Sequence, residues 1–182
     1  MASRYAAFLR GMNVGGRRLT NDELRSCLTD MGFRDVECFR ASGNVVFDGD
    51  RRPAAAVKTR IEQGLAVSLG YAVPTFVRTA DEVLDIASCR PFDEEAVSSS
   101  TGKLHVALLS NTPSAAQSDE VLSLQTRDDR LAFGRRELYW LPKGRMIDSG
   151  LDLTAVERAL GPMTLRTKST VELLAGKHFP DG

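Results

Sequence analysis

The stretch VECFRASGNVVFD, residues 36–48, decides the fold. Two β-rich runs, VECFRA and NVVFD, flank Ser42-Gly43, a hairpin signal. A hairpin at this place argues against a doubly wound parallel sheet, in which a helix would separate every pair of strands. Upstream, YAAFLR (5–10) is a strand-like apolar run. Thr20 and Glu23 then form a capping box, followed by Leu24, Cys27, Leu28 and Met31 at helical spacing and by Gly32 as the stop. Downstream, Pro53 opens a helix with the stripe Val57, Ile61, Leu65 and Leu69, and VPTFVR (73–78) is a further strand. The order is βαββαβ. Pro74 is expected inside that fourth strand, which therefore belongs at a sheet edge.

The order recurs. A second capping box, Thr79 with Glu82, starts a short helix that ends by CRPF, and DEEAVSSSTGK (93–103) reads as a linker. LHVALL is a strand, Thr112-Pro113 a helix start, and RLAF and ELYWL are hairpin arms around GRR. LTAVERAL is a helix stopped by Gly161-Pro162, MTLR is a strand, and STVELLAGK is a final helix. The expected class is α+β, a tandem duplication of ferredoxin-like βαββαβ halves plus a C-terminal helix. Residues 1–92 form the first half with its trailing helix, 93–103 the linker and 104–182 the second half. Tyr139 and Trp140, adjacent on a strand, face opposite sides, and at least one of them is core.

Charge narrows the function. Twenty-four lysines and arginines balance 24 aspartates and glutamates, so no global field draws nucleic acid or anionic lipid, and any anion site is local. No run approaches the roughly 18 apolar residues of a membrane span, and the N-terminal run is too short for a signal peptide. Cys27, Cys38 and Cys89 are scattered, which fits reduced thiols in a cytoplasmic protein. His105 lies in an apolar strand and His178 in a tail expected to fray. Neither has metal-ligand neighbours, and no metal site is read. The third strand lacks the aromatic pattern of an RNA-recognition module, which disfavours nucleic acid, although Arg17-Arg18 and Arg135-Arg136 are basic pairs. No P-loop, GxGxxG or GxSxG elbow is present.

In a split βαβ unit the end of the first strand and the hairpin turn lie at one end of the sheet. FLRGMNVGGRRLT (8–20) therefore meets Ser42 to Asn44, and this connection is long for a βα link. Arg10 brings charge, and Asn13, Gly15 and Gly16 bring neutral donors near a helix N-terminus. Ser42, Gly43 and Asn44 would close the site. Gly15-Gly16 and Ser42-Gly43-Asn44 are equally good turn chemistry on their own.

YAAFLRGMNVGGRRLTNDELRSCLTDMGFRDVECFRASGNVVF (5–47) resembles the opening signature of the bacterial domain-of-unknown-function family 1697 (DUF1697). RPF (90–92), KLHVALLS (103–110) and RELYWLPKG (136–144) fit as well. The resemblance implies a soluble bacterial α+β protein without an established activity. The family run Thr-Thr-Arg-Asn-aromatic-Asn-Thr reads TLRTKST here: Arg166 and Thr170 match, while Thr167, Lys168 and Ser169 depart.

The expectation is a small-anion or nucleotide site using Arg10, Asn13, Gly15, Gly16, Ser42, Gly43 and Asn44, with Arg166 and Thr170 as contributors from the other half. Its ligand would be a small phosphorylated or anionic molecule. The alternatives are a non-catalytic protein-interaction module and, more weakly, a nucleic-acid-binding module. No base–nucleophile pair marks an enzyme, no cofactor is named by any motif, and oligomeric state leaves no signal.

Overall fold

A computed structural model describes residues 2–12, 18–40 and 43–180. The chain divides into two compact units, Met1–Leu84 with Gly176–Gly182, and Asp85–Ala175.

In the first unit β1 (Ala2–Leu9), α1 (Asn21–Asp30), β2 (Arg34–Cys38), β3 (Asn44–Asp50), α2 (Ala54–Leu69) and β4 (Thr75–Thr79) follow in order. The sheet order is β2-β3-β1-β4, with every neighbouring pair antiparallel. This is the expected ferredoxin-like arrangement. β1 is central, and residues 5–9 are buried throughout. Tyr5, Ala7 and Leu9 join Val45, Phe47 and Val77 under Leu24 and Leu28 of α1 and Val57, Ile61 and Leu65 of α2. Their alternates Ala6, Phe8, Val46 and Phe76 are buried on the opposite face.

Local chemistry explains the boundaries. Thr20 and Glu23 form the capping box, worth about 0.5–2 kcal/mol. Gly32 takes φ +84°, closing α1 as its position demands. Pro74 precedes β4 instead of lying in it. Its carbonyl accepts from Arg10 N at 2.9 Å, so the chain is already paired there without needing an amide from proline. β4 itself is an edge strand.

α3 (Ala80–Ser88) and α4 (Glu94–Ser99) lead into the second sheet. There β5 (His105–Leu109), α5 (Ala115–Leu122), β6 (Asp129–Phe133), β7 (Glu137–Pro142), α6 (Leu153–Leu160) and β8 (Met163–Thr167) repeat the topology, before α7 (Lys168–His178). The order β6-β7-β5-β8 matches that of the first sheet. Ser114, with Gln117 as its reciprocal partner, caps α5 in place of Thr112.

The span expected as a linker, 93–103, contains α4. Asp93 caps α4, Ser100 Oγ donates to Pro142 O at 2.6 Å, and Thr101 N donates to Lys143 O at 2.9 Å. A Cβ on Gly102 would collide with the carbonyl oxygens of Pro142 and Gly144, so only glycine fits there. The division between units falls at Leu84–Asp85, within α3, and the last seven residues return to the first unit.

Tyr139 and Trp140 are both buried. Trp140 joins Ala107, Leu109, Leu138 and Val156 in the core, and the His105 ring packs against it at a tilt, with ring centroids 5.2 Å apart. His178 does not fray: it ends α7 as a buried side chain whose ring meets Phe39 edge-on.

The polar centre of the second unit is Asp129, 1% exposed. One carboxylate oxygen accepts from Trp140 Nε1 at 2.8 Å and Ser149 Oγ at 2.6 Å, and the other from Thr126 Oγ1 at 2.6 Å. Burial by itself would raise this carboxyl, but the three donors outweigh it and hold it below the ordinary aspartate value. Asp129→Ala leaves the indole N–H without its acceptor and should remove about 2–4 kcal/mol of stability at pH 7 in urea titrations. Because the folded value is depressed, this stabilisation is full above the unfolded value near pH 4. It is lost as pH falls through the folded value, so wild type should lose more stability than Asp129→Asn between pH 5 and about pH 3.

Candidate functional site

The candidate site begins where β1 ends. Leu9 N donates to Gly43 O at 2.8 Å, Arg10 N donates to Pro74 O, and Phe8 pairs with Asn44. Arg10 thus leaves the sheet between the β2–β3 turn and the start of β4. Gly43 has φ +69°, and a Cβ there would lie 2.9 Å from Met12 Sδ and 3.2 Å from Leu9 O. Asn44 is buried, and its Nδ2 donates to Phe39 O at 3.2 Å across the hairpin. Asn21 Nδ2 reaches Arg40 O at 3.2 Å, tying the start of α1 to the same hairpin. The long connection is anchored at both ends, because Met12 and Leu19 are buried in the core.

Of the residues expected at this site, Arg10, Gly43 and Asn44 lie at one end of the sheet: Arg10 follows Leu9, which bonds Gly43, and Asn44 pairs with Phe8. Asn13, Gly15, Gly16 and Ser42 lie outside the described residues. The start of α1 is less open to an anion than its position suggests. Thr20 N and Oγ1 both donate to the Glu23 carboxylate at 2.8 Å, and Glu23 N donates to Thr20 Oγ1 at 3.2 Å. The backbone bond from Thr20 leads the causes that hold Glu23 below the usual carboxylate range. With Asp22 beside it, this helix end already holds negative charge.

Arg166 and Thr170 belong to the second unit, and their surroundings have a counterpart in the first. Val106 pairs with Arg166 as Ala6 pairs with Arg78, and His105 pairs with Thr167 as Tyr5 pairs with Thr79. Each unit therefore ends its last strand in Arg-Thr and enters a helix. Thr79 N donates to Glu82 Oε2 at 3.0 Å, and Glu82 N donates back to Thr79 Oγ1 at 3.3 Å. At the same spacing, the Thr167 and Thr170 hydroxyls lie 2.8 Å apart. Arg166 Nη1 donates to Leu165 O and Thr164 Oγ1, both at 2.8 Å, and burial pushes its guanidinium down to about 10. Arg78 Nη1 likewise donates to Val77 O at 3.1 Å. Helix entry and strand-end packing thus account for these partners of Arg166 and Thr170.

The departing residue Lys168 is 3% exposed. Its Nζ donates to Ala87 O at 2.8 Å and to Glu172 Oε1 at 2.6 Å. Arg90 donates to the carbonyls of Ala87, Ser88 and Cys89, so two cations close the C-terminus of α3. Among the described residues, no group of three or more His, Cys, Asp or Glu gathers to hold a metal ion. No helix among them is long and apolar enough to cross a membrane. A concavity without a sequence signal lies at the other end of the first sheet, around Arg4, Arg51 and Arg52. These residues come from separate segments, and only the strand register gathers them.

The family model described as "Protein of unknown function (DUF1697)" matches residues 2–139, and the chain belongs to that family. Among solved structures it is similar to the conserved bacterial protein SP0830 from Streptococcus pneumoniae, with a TM-score of 0.71 at 22% identity over 97% of this chain and 98% of that one. At that identity the likeness speaks to the fold. No curated protein matches.

Gly43→Ala tests the turn. The left-handed conformation costs a non-glycine residue about 1–2 kcal/mol, and the close approach of Met12 Sδ adds to it. Thermal unfolding should show a lowered Tm, and in a double-mutant cycle Gly43→Ala should cost less in a Met12→Ala background than in wild type, because the Sδ contact is gone there.

Proposed function

We propose that this DUF1697 chain is a small-anion-binding protein whose site lies at the C-terminal end of β1. Arg10 is its charged anchor, and the Gly43–Asn44 turn is its floor. One observation carries the reading: the backbone bonds Leu9 N to Gly43 O and Arg10 N to Pro74 O hold Arg10 at the mouth of a connection far longer than its counterpart. Eleven residues, 10–20, join β1 to α1, whereas five, 110–114, join β5 to α5. The site residues suit a phosphate or another oxyanion, because a guanidinium and backbone amides donate to such groups and coordinate metals poorly. Asn13, Gly15, Gly16 and Ser42 supply further donors in this proposal. The helix end contributes little, since Glu23 occupies it.

A charge-assisted bond from Arg10 contributes about 1.5–3 kcal/mol, short of the roughly 4 kcal/mol that a millimolar complex needs. The remainder falls to the backbone donors of the connection. Titrating inorganic phosphate while following the amide resonances of Gly43 and Asn44 by NMR should show saturable shifts. Arg10→Ala should weaken them about ten-fold or more. Shifts that are absent, or unchanged in the variant, would leave the connection as a turn and favour an interaction surface instead.

A further inference from the structure

We propose a second anion site, for the phosphate group of a small phosphomonoester, at the opposite end of the first sheet. A concavity of about 330 Å³ opens there, lined by Arg4, Tyr5, Arg51, Arg52, Thr79 and Asp81 with their neighbours Ser3 and Ala80. Register assembles it: Arg4 pairs with Asp48 near the end of β3, and Tyr5 pairs with Thr79 at the end of β4. The chain leaving β3 is then held against β1. Tyr5 Oη donates toward Asp50 O (3.1 Å) and Arg52 O (2.7 Å) and accepts from Arg52 N at 3.0 Å. The backbone that carries Arg51 and Arg52 is therefore fixed by a buried tyrosine, although both side chains are exposed.

The charges in this concavity are not equivalent. Arg4 is committed, with Nη1 2.9 Å from Asp48 Oδ1 and Nη2 3.3 Å from Glu37 Oε1. The guanidiniums of Arg51 and Arg52 have neither an ion-pair nor a hydrogen-bond partner among the described residues. Two such uncommitted cations on a pinned segment, beside one carboxylate at Asp81, leave a local excess of positive charge in a chain whose net charge is zero. Guanidiniums match phosphate oxygens in bidentate geometry. The start of α3 contributes little, since Glu82 caps it through Thr79 as Glu23 caps α1, so the two arginines carry the site. The volume exceeds what bare phosphate needs and falls at the small end of small-molecule pockets, which leaves room for an organic part beyond the phosphate.

This site is independent of the one at Arg10, and NMR separates the two. In titrations with inorganic phosphate and with glycerol 3-phosphate, the amides of Ala80 and Asp81 should shift saturably, with the ester binding more tightly. The doubly substituted Arg51→Ala/Arg52→Ala protein, altered only at exposed side chains, should raise the Kd read there about ten-fold or more. Asp81→Asn should lower it by removing a like charge, an outcome that a damaged fold would not produce. Arg10→Ala should leave it unchanged while altering the shifts at Gly43 and Asn44. Static Ala80 and Asp81 amides in wild type, an unchanged Kd in the double variant, or weaker binding in Asp81→Asn would each overturn the proposal.

Discussion

Each unit depends on one central strand buried on both faces. β1 pairs with β3 on one side and β4 on the other, and β5 pairs with β7 and β8 in the same way. A strand in that position has no solvated face, so its side chains must be apolar or fully partnered in both directions. Residues 5–9 and 105–109 are accordingly buried without a break, and the His105 ring packs against Trp140. The last bond of each central strand is also the same: Leu9 N to Gly43 O, and Leu109 N to Arg136 O at 2.9 Å. Every loop considered for function departs from this fixed frame.

The fold was legible because its punctuation is chemical. The hairpins, the Thr20–Glu23 and Thr79–Glu82 boxes and the glycine stop at Gly32 each have a local cause, and local causes survive folding. Two local signals compete before α5: Thr112-Pro113 looks like a helix start, but Ser114 has Gln117 three residues on and becomes the cap. The serine-rich run after Cys89 reads as solvated chain by composition. Nothing local announces that Gly102 must fit between two carbonyls. His178 posed the same problem, since burial of a C-terminal residue is a tertiary property.

The candidate sites divide along the same line. The adjacency of Arg10 and Gly43 followed from topology, which hydrophobic pattern and turn residues dictate. The expectation of open amides at the start of α1 left the capping box out of account, since a carboxylate that caps a helix occupies the place an external anion would take. The partners of Arg166 and Thr170 became clear only through register, which aligns them with Arg78 and Glu82 of the first unit. The Arg51–Arg52 concavity was invisible for a different reason. Its walls come from β1, the segment after β3 and the start of α3, and no spacing rule links them.

The duplication supplies an internal reference for the first unit. The five-residue connection after β5 shows that this topology closes without a long excursion, so most of the eleven residues after β1 are surplus to closure. By loop-closure entropy the longer span costs only about 0.7 kcal/mol more than the shorter. A penalty that small exerts little pressure toward shortening, and a segment can be carried at that spot for reasons unrelated to folding. Folding therefore constrains the length of the span from Arg10 to Thr20 only weakly while Met12 and Leu19 stay anchored, which leaves that span open to demands other than closure.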